Sequence, residues 1–131
     1  MRNSNAWKRL CGLLGLLLAG TAGADTEADA LRLQPVSDHV YAVVGPLGNR
    51  APENLGNNAT FGFVVTEAGV VLIDAGGTYR GAAALHDVVR QVTDRPVKLV
   101  INTGGQDHRW LGNGYFRERG ARIIASERAV V

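Results

Sequence analysis

One short stretch of this chain concentrates the residues able to do chemistry. Val100-Ile101 is apolar and β-branched, and it runs through Asn102-Thr103-Gly104-Gly105-Gln106 before Asp107 and His108 stand side by side. A strand end fixes the backbone, a glycine loop lets it bend, and a carboxylate next to an imidazole offers two ligand types that zinc accepts. Asp74 closes a second apolar run, Val71-Leu72-Ile73, and so puts another carboxylate at a strand end. Plainer readings exist for the same residues: Asp107 as the N-cap of a helix, His108 as a first-turn surface histidine, and Asp74 as a turn cap. His39 falls in a turn, and His86 lies beside Leu85 at a partly exposed helical position. Both lie far from any other candidate ligand cluster in the sequence.

The elements that must position these residues follow from periodicity. Residues 31–33 and 40–44 read as strands around the turn Ser37-Asp38-His39. Residues 45–58, rich in Gly, Pro and Asn, form a loop long enough to serve a site. Residues 60–66 and 70–73 are the arms of a hairpin turning at Glu67-Ala68-Gly69. Leu85, Val88, Val89 and Val92 recur at helical spacing, which predicts a helix over residues 80–93 that Pro96 stops. A strand over 97–102 follows, then one helix over 108–119 ended by Gly120, then a strand over 121–125. Trp110, Tyr115 and Phe116 are expected to pack that second helix into the core. The order is α/β, a mixed sheet with helices over one face, in a single domain without repeats.

Composition narrows the functional classes. The 131 residues are 46% hydrophobic and 20% charged, which suits one globular unit. Met1, Arg2, Lys8 and Arg9 precede an uncharged apolar run over residues 10–20 and the small residues Thr21-Ala22-Gly23-Ala24. This profile predicts a signal peptide over 1–24, cleaved after Ala24, and a periplasmic or secreted protein over 25–131 with no stable membrane anchor. Cleavage leaves 11 basic against 12 acidic residues, a net charge of −1, so nothing argues for nucleic acid. The one cysteine, Cys11, goes with the signal, leaving neither disulfide nor thiolate. Ser4, Ser37 and Ser126 are the only serines, and none lies in a nucleophile elbow. Gly76 and Gly81 have the outer spacing of a phosphate loop, but Ala82 stands where its lysine belongs.

The series Val71-Leu72-Ile73-Asp74-Ala75-Gly76, helix, Val100-Ile101-Asn102-Thr103, loop, Asp107-His108, Leu111-Gly112-Asn113 resembles the metallo-β-lactamase superfamily. Within it, the series is most similar to the periplasmic zinc metallohydrolases of quinoprotein relay systems. The resemblance covers residues 31–131 and implies the N-terminal half of an αββα sandwich. It also implies one or two zinc ions, and hydrolysis of a small-molecule ester, amide, thioester or phosphoester. Zinc would lower the pKa of its bound water to about 7 and polarise the scissile bond.

Carried over residue by residue, Asp107 and His108 match the end of the family's Thr-His-x-His-x-Asp-His motif. There they serve the second zinc, with Asp107 also the catalytic candidate. Asp74 matches the aspartate that braces the metal loop from behind the ligands. Both first-zinc histidines are replaced: Gly104, Gly105 and Gln106 follow Thr103 in a motif one residue shorter. Two ligands fall below the three or four that a protein zinc site uses. The resemblance therefore implies a hydrolase completed by a missing C-terminal half or a partner chain, or else a non-catalytic binding or accessory module or inactive fragment of the same fold. Half a sandwich would also leave a sheet face, fed by Phe61, Phe63, Val71 and Ile73, without its partner layer.

Overall fold

The computed structural model describes residues 31–129; the expected signal segment over 1–24 and its expected cleavage site lie outside the described residues. Six strands form one sheet in sequential order: β1 (Arg32–Ser37), β2 (Val40–Val44), β3 (Thr60–Thr66), β4 (Gly69–Ile73), β5 (Val97–Asn102) and β6 (Arg122–Ala125). The first four are antiparallel, and β4, β5 and β6 run parallel. Parallel neighbours need crossovers, which α1 (Tyr79–Arg90) supplies between β4 and β5, and the short helices α2 (Asp107–Trp110) and α3 (Asn113–Arg117) supply between β5 and β6. The expected mixed α/β architecture is present.

β1 runs further than residues 31–33 because pairing with β2 carries it to Ser37. Pro35 is tolerated there because β1 is an edge strand, where its missing N–H breaks no ladder. Helix α1 begins where Thr78 Oγ1 accepts the Gly81 N–H at 2.8 Å, and it ends at Arg90 rather than at residue 93. The expected single helix over 108–119 is two. Between them Gly112 donates its N–H to Gly76 O at 2.9 Å, and a Cβ on Gly112 would lie 2.0 Å from Ala75 O. The chain bends at Gly112 because the β4–α1 turn passes directly against it.

The core lies between the helices and one sheet face, where Val43, Phe61, Phe63, Val70, Leu72 and Val100 meet Leu85, Val89, Tyr115 and Phe116. Register corrects one expectation. Phe63 pairs with Leu72, whereas Val64 pairs with Val71 and Gly62 with Ile73. Phe61 and Phe63 therefore sit under the helices, and Val71 and Ile73 belong to the opposite face. There Val64, Val71, Ile73, Leu99, Ile101 and Ile124 remain partly exposed. Two side chains also depart from expectation: Trp110 is 43% exposed rather than core, and His86 is buried rather than partly exposed. α2 is one turn long and leaves the indole outside, while α1 packs His86 against Tyr115 and Phe116.

Candidate functional site

The C-terminal ends of β4 and β5 meet at Asp74. Its backbone is left-handed, with φ at 64°, and its side chain is 5% exposed. Aspartate is among the few side chains that accept this conformation. The Asp74 N–H donates to Ile101 O at 3.0 Å, which ties the two strand ends together. The carboxylate then organises the loop that follows β5. Oδ1 accepts the Thr103 N–H at 2.8 Å, and Oδ2 accepts the Thr103 hydroxyl at 2.8 Å and Arg109 Nη1 at 2.9 Å. Asp74 thus ties the loop after β5 to the end of β4, and a guanidinium is the cation it pairs with.

Arg109 is fastened along its whole length. Its Nε donates to Gln106 Oε1 at 3.0 Å, and Nη1 also donates to the Thr103 hydroxyl. Its carbonyl accepts the Ala75 N–H at 2.8 Å and Asn102 Nδ2 at 2.6 Å. Gly104 makes room for it, since a Cβ there would lie 3.2 Å from Arg109 Cδ. Gln106, standing where a ligand histidine is expected, orients this arginine.

Asp107 and His108 come together away from that network. Gln106, not Asp107, occupies the N-cap position of α2, and no side chain caps the helix. Asp107 Oδ1 accepts the His108 N–H at 2.9 Å, and Oδ2 is ion-paired with Arg50. That hydrogen bond from Arg50 holds the Asp107 carboxyl below the usual carboxylate range. His108 Nδ1 stands 3.8 Å from Asp107 Oδ1. Arg50 belongs to the loop over residues 45–58, which therefore borders the candidate site. The loop is anchored by asparagines: buried Asn57 donates to Gly81 O at 2.8 Å, and Asn54 Oδ1 accepts the N–H groups of Ala51 and Gly56.

Zinc needs three or four converging ligands. Among the described residues no group of three His, Cys, Asp or Glu side chains converges. Asp74 is committed to Thr103 and Arg109, Asp107 faces Arg50, and His86 Nδ1 lies 3.1 Å from the Tyr115 hydroxyl. The residues present do not fit a zinc ion. Two cations absent from the sequence expectation, Arg109 and Arg50, satisfy the carboxylates instead. Arg109 left one readable trace, a cation one residue past Asp107-His108 in a loop with glycine to accommodate it. Arg50 left none, being 57 residues from its partner.

Beside this loop a cavity of about 490 Å³ is lined by Asn102, Gly104, Gly105, Trp110, Asn113 and Ile123, among others. The Asn102 and Asn113 amides bond each other reciprocally at 3.2 and 2.7 Å, and Trp110 Nε1 donates to Gly105 O at 3.1 Å.

No protein-family profile matches the sequence. Solved structures do match by shape. The metallo-β-lactamase FIM-1 of Pseudomonas aeruginosa, in its mono-zinc form, superposes at a TM-score of 0.63 with 12% identity, over 79% of this chain and 46% of that one. A metallo-β-lactamase of Hirschia baltica gives 0.60 with 13% identity over 75% and 44%, and one of Pontibacter korlensis gives 0.60 with 21% identity over 76% and 46%. The chain has a partial metallo-β-lactamase fold and spans less than half the length of these structures.

Proposed function

We propose that this chain is an exported, non-catalytic module of the metallo-β-lactamase fold, in which guanidinium–carboxylate pairs hold the loop that in the family holds zinc. The observation that carries this reading is Arg109, bonded to Asp74, Thr103 and Gln106 at once. A cation fixed by three partners beside a carboxylate neutralises that carboxylate and repels a second cation. Export with cleavage after Ala24 and a periplasmic location belong to the same proposal, as does kinship with the relay-system metallohydrolases. A small molecule in the cavity beside Trp110 is the proposed ligand.

The test is metal content. After equilibration with zinc and dialysis against a weak chelator, the full chain is expected to retain far less than one zinc per molecule and to leave lactam and thioester substrates intact. Stoichiometric zinc would overturn the proposal. The adjacency of Asp107 and His108 favours a second reading, a zinc hydrolase completed by ligands from outside the described residues. In that case His108→Ala would abolish both zinc and turnover.

A further inference from the structure

On another side of the molecule, three arginines from three segments line one small cavity. Its volume is about 260 Å³, and its lining includes Arg90, Arg95, Arg119, His86, Asp94 and Phe116. None of these residues lines the cavity beside Trp110. Arg90 closes α1, where the helix dipole favours a cation, so its presence alone has an ordinary explanation. The other two do not share it. Arg119 follows α3 with its guanidinium carbon 3.5 Å from the Tyr115 ring centroid, and its Nη1 donates to Tyr115 O at 2.9 Å. Arg95 lies in the α1–β5 connection and donates Nη1 to Thr66 O.

Stacking and single-nitrogen anchoring orient Arg119 and Arg95 while leaving their remaining N–H groups for another acceptor. Among the described residues no carboxylate lies within ion-pair distance of Arg90, Arg95 or Arg119, and Asp94 is the one acid in the lining. Behind them His86 is buried, with Nδ1 turned to the Tyr115 hydroxyl. Burial lowers its pKa, Arg90 and Arg119 lower it further, and Asp87 pulls the other way. The site is thus a small, net cationic recess with preset donors, in which Asp94 is the one acid.

We propose that this recess binds a phosphate group, with the guanidinium groups of Arg90, Arg95 and Arg119 around it. Planar guanidinium forks match the spacing of phosphate oxygens, and the recess is smaller than the pockets that enclose drug-sized ligands. A bound dianion would offset the two arginines that depress His86, which makes that imidazole a built-in reporter.

The experiment is an NMR titration of the labelled full chain with inorganic phosphate, against chloride at equal ionic strength. Saturable shifts confined to the amides around Arg90, Arg95 and Arg119 are expected, with an upward move of the His86 titration midpoint. Arg90→Gln and Arg95→Gln should each weaken binding about tenfold while leaving the rest of the spectrum in place. Arg119→Gln is a poorer variant because it also removes the stack on Tyr115. Repeating the titration with glycerol phosphate separates the sources: tighter binding assigns the site to a phosphomonoester, and equal binding to free phosphate. Unsaturating shifts at every basic residue, or a His86 midpoint that phosphate does not move, would overturn the proposal.

Discussion

Asp74 carries two burdens, a left-handed backbone and a buried carboxylate side chain, 5% exposed. The charge is sustained by Arg109 and two bonds from Thr103, so removing either ionic partner strands the other. Because Arg109 keeps a side-chain exposure of 32%, the penalty falls at the lower end for buried pairs. Asp74→Ala should cost about 3 kcal/mol in urea unfolding at neutral pH. Asp74→Asn, which keeps an acceptor for the Thr103 N–H and tolerates positive φ, should cost about half as much. Equal losses for the two variants would show that the negative charge, which both remove, is what the position supplies, and that neither the left-handed backbone nor the acceptor for the Thr103 N–H matters. Asp107 differs in being at the surface, where Arg50 lowers its pKa. The pair's contribution is therefore present above the ordinary carboxylate range and is lost as pH falls through the depressed value. In Arg50→Gln the Asp107 titration, followed by carboxyl NMR, should move up toward the ordinary carboxylate range. An unmoved midpoint would mean that the ion pair does not persist in solution.

Among the elements, the strands were the most legible because alternation and turn residues are local signals: the bounds of β2, β3 and β5 agree with the sequence expectation. The break between α2 and α3 was not legible. Residues 108–119 carry helical spacing throughout, and the cause of the break, Ala75 O lying where a Gly112 Cβ would be, comes from the β4–α1 turn. The pairing of Arg50 with Asp107 was hidden for the same reason, whereas Asp74 was found because its family motif marks a strand end. Two nearby glycines test the account. Gly112→Ala should cost about 3 kcal/mol through overpacking against backbone that cannot withdraw. Gly114→Ala, inside α3 with nothing within 4 Å of its new methyl, should stabilise by about 0.5 kcal/mol. Urea midpoints moving the same way for both would refute the bend as a packing requirement.

At the scale of the whole molecule the sheet has one face under helices and one that no described element covers. The run Val70-Val71-Leu72-Ile73 hid this asymmetry, because four consecutive apolar residues do not say which face is which. Only the register, Phe63 with Leu72 and Val64 with Val71, divides them. One substitution at two adjacent positions measures the division. Val→Thr preserves shape and adds a hydroxyl that must find a partner or water. At Val70, with 0% exposure against the α1 core, the hydroxyl is stranded and should cost about 2 kcal/mol. At Val71, partly exposed on the other face, water reaches it and the cost should stay under about 0.5 kcal/mol. Both variants keep the β-branched side chain that the strand favours, so propensity cancels and the difference in unfolding free energy reports burial alone. A loss at Val71 as large as at Val70 would mean that the second face is also packed in solution, by a layer lying outside residues 31–129.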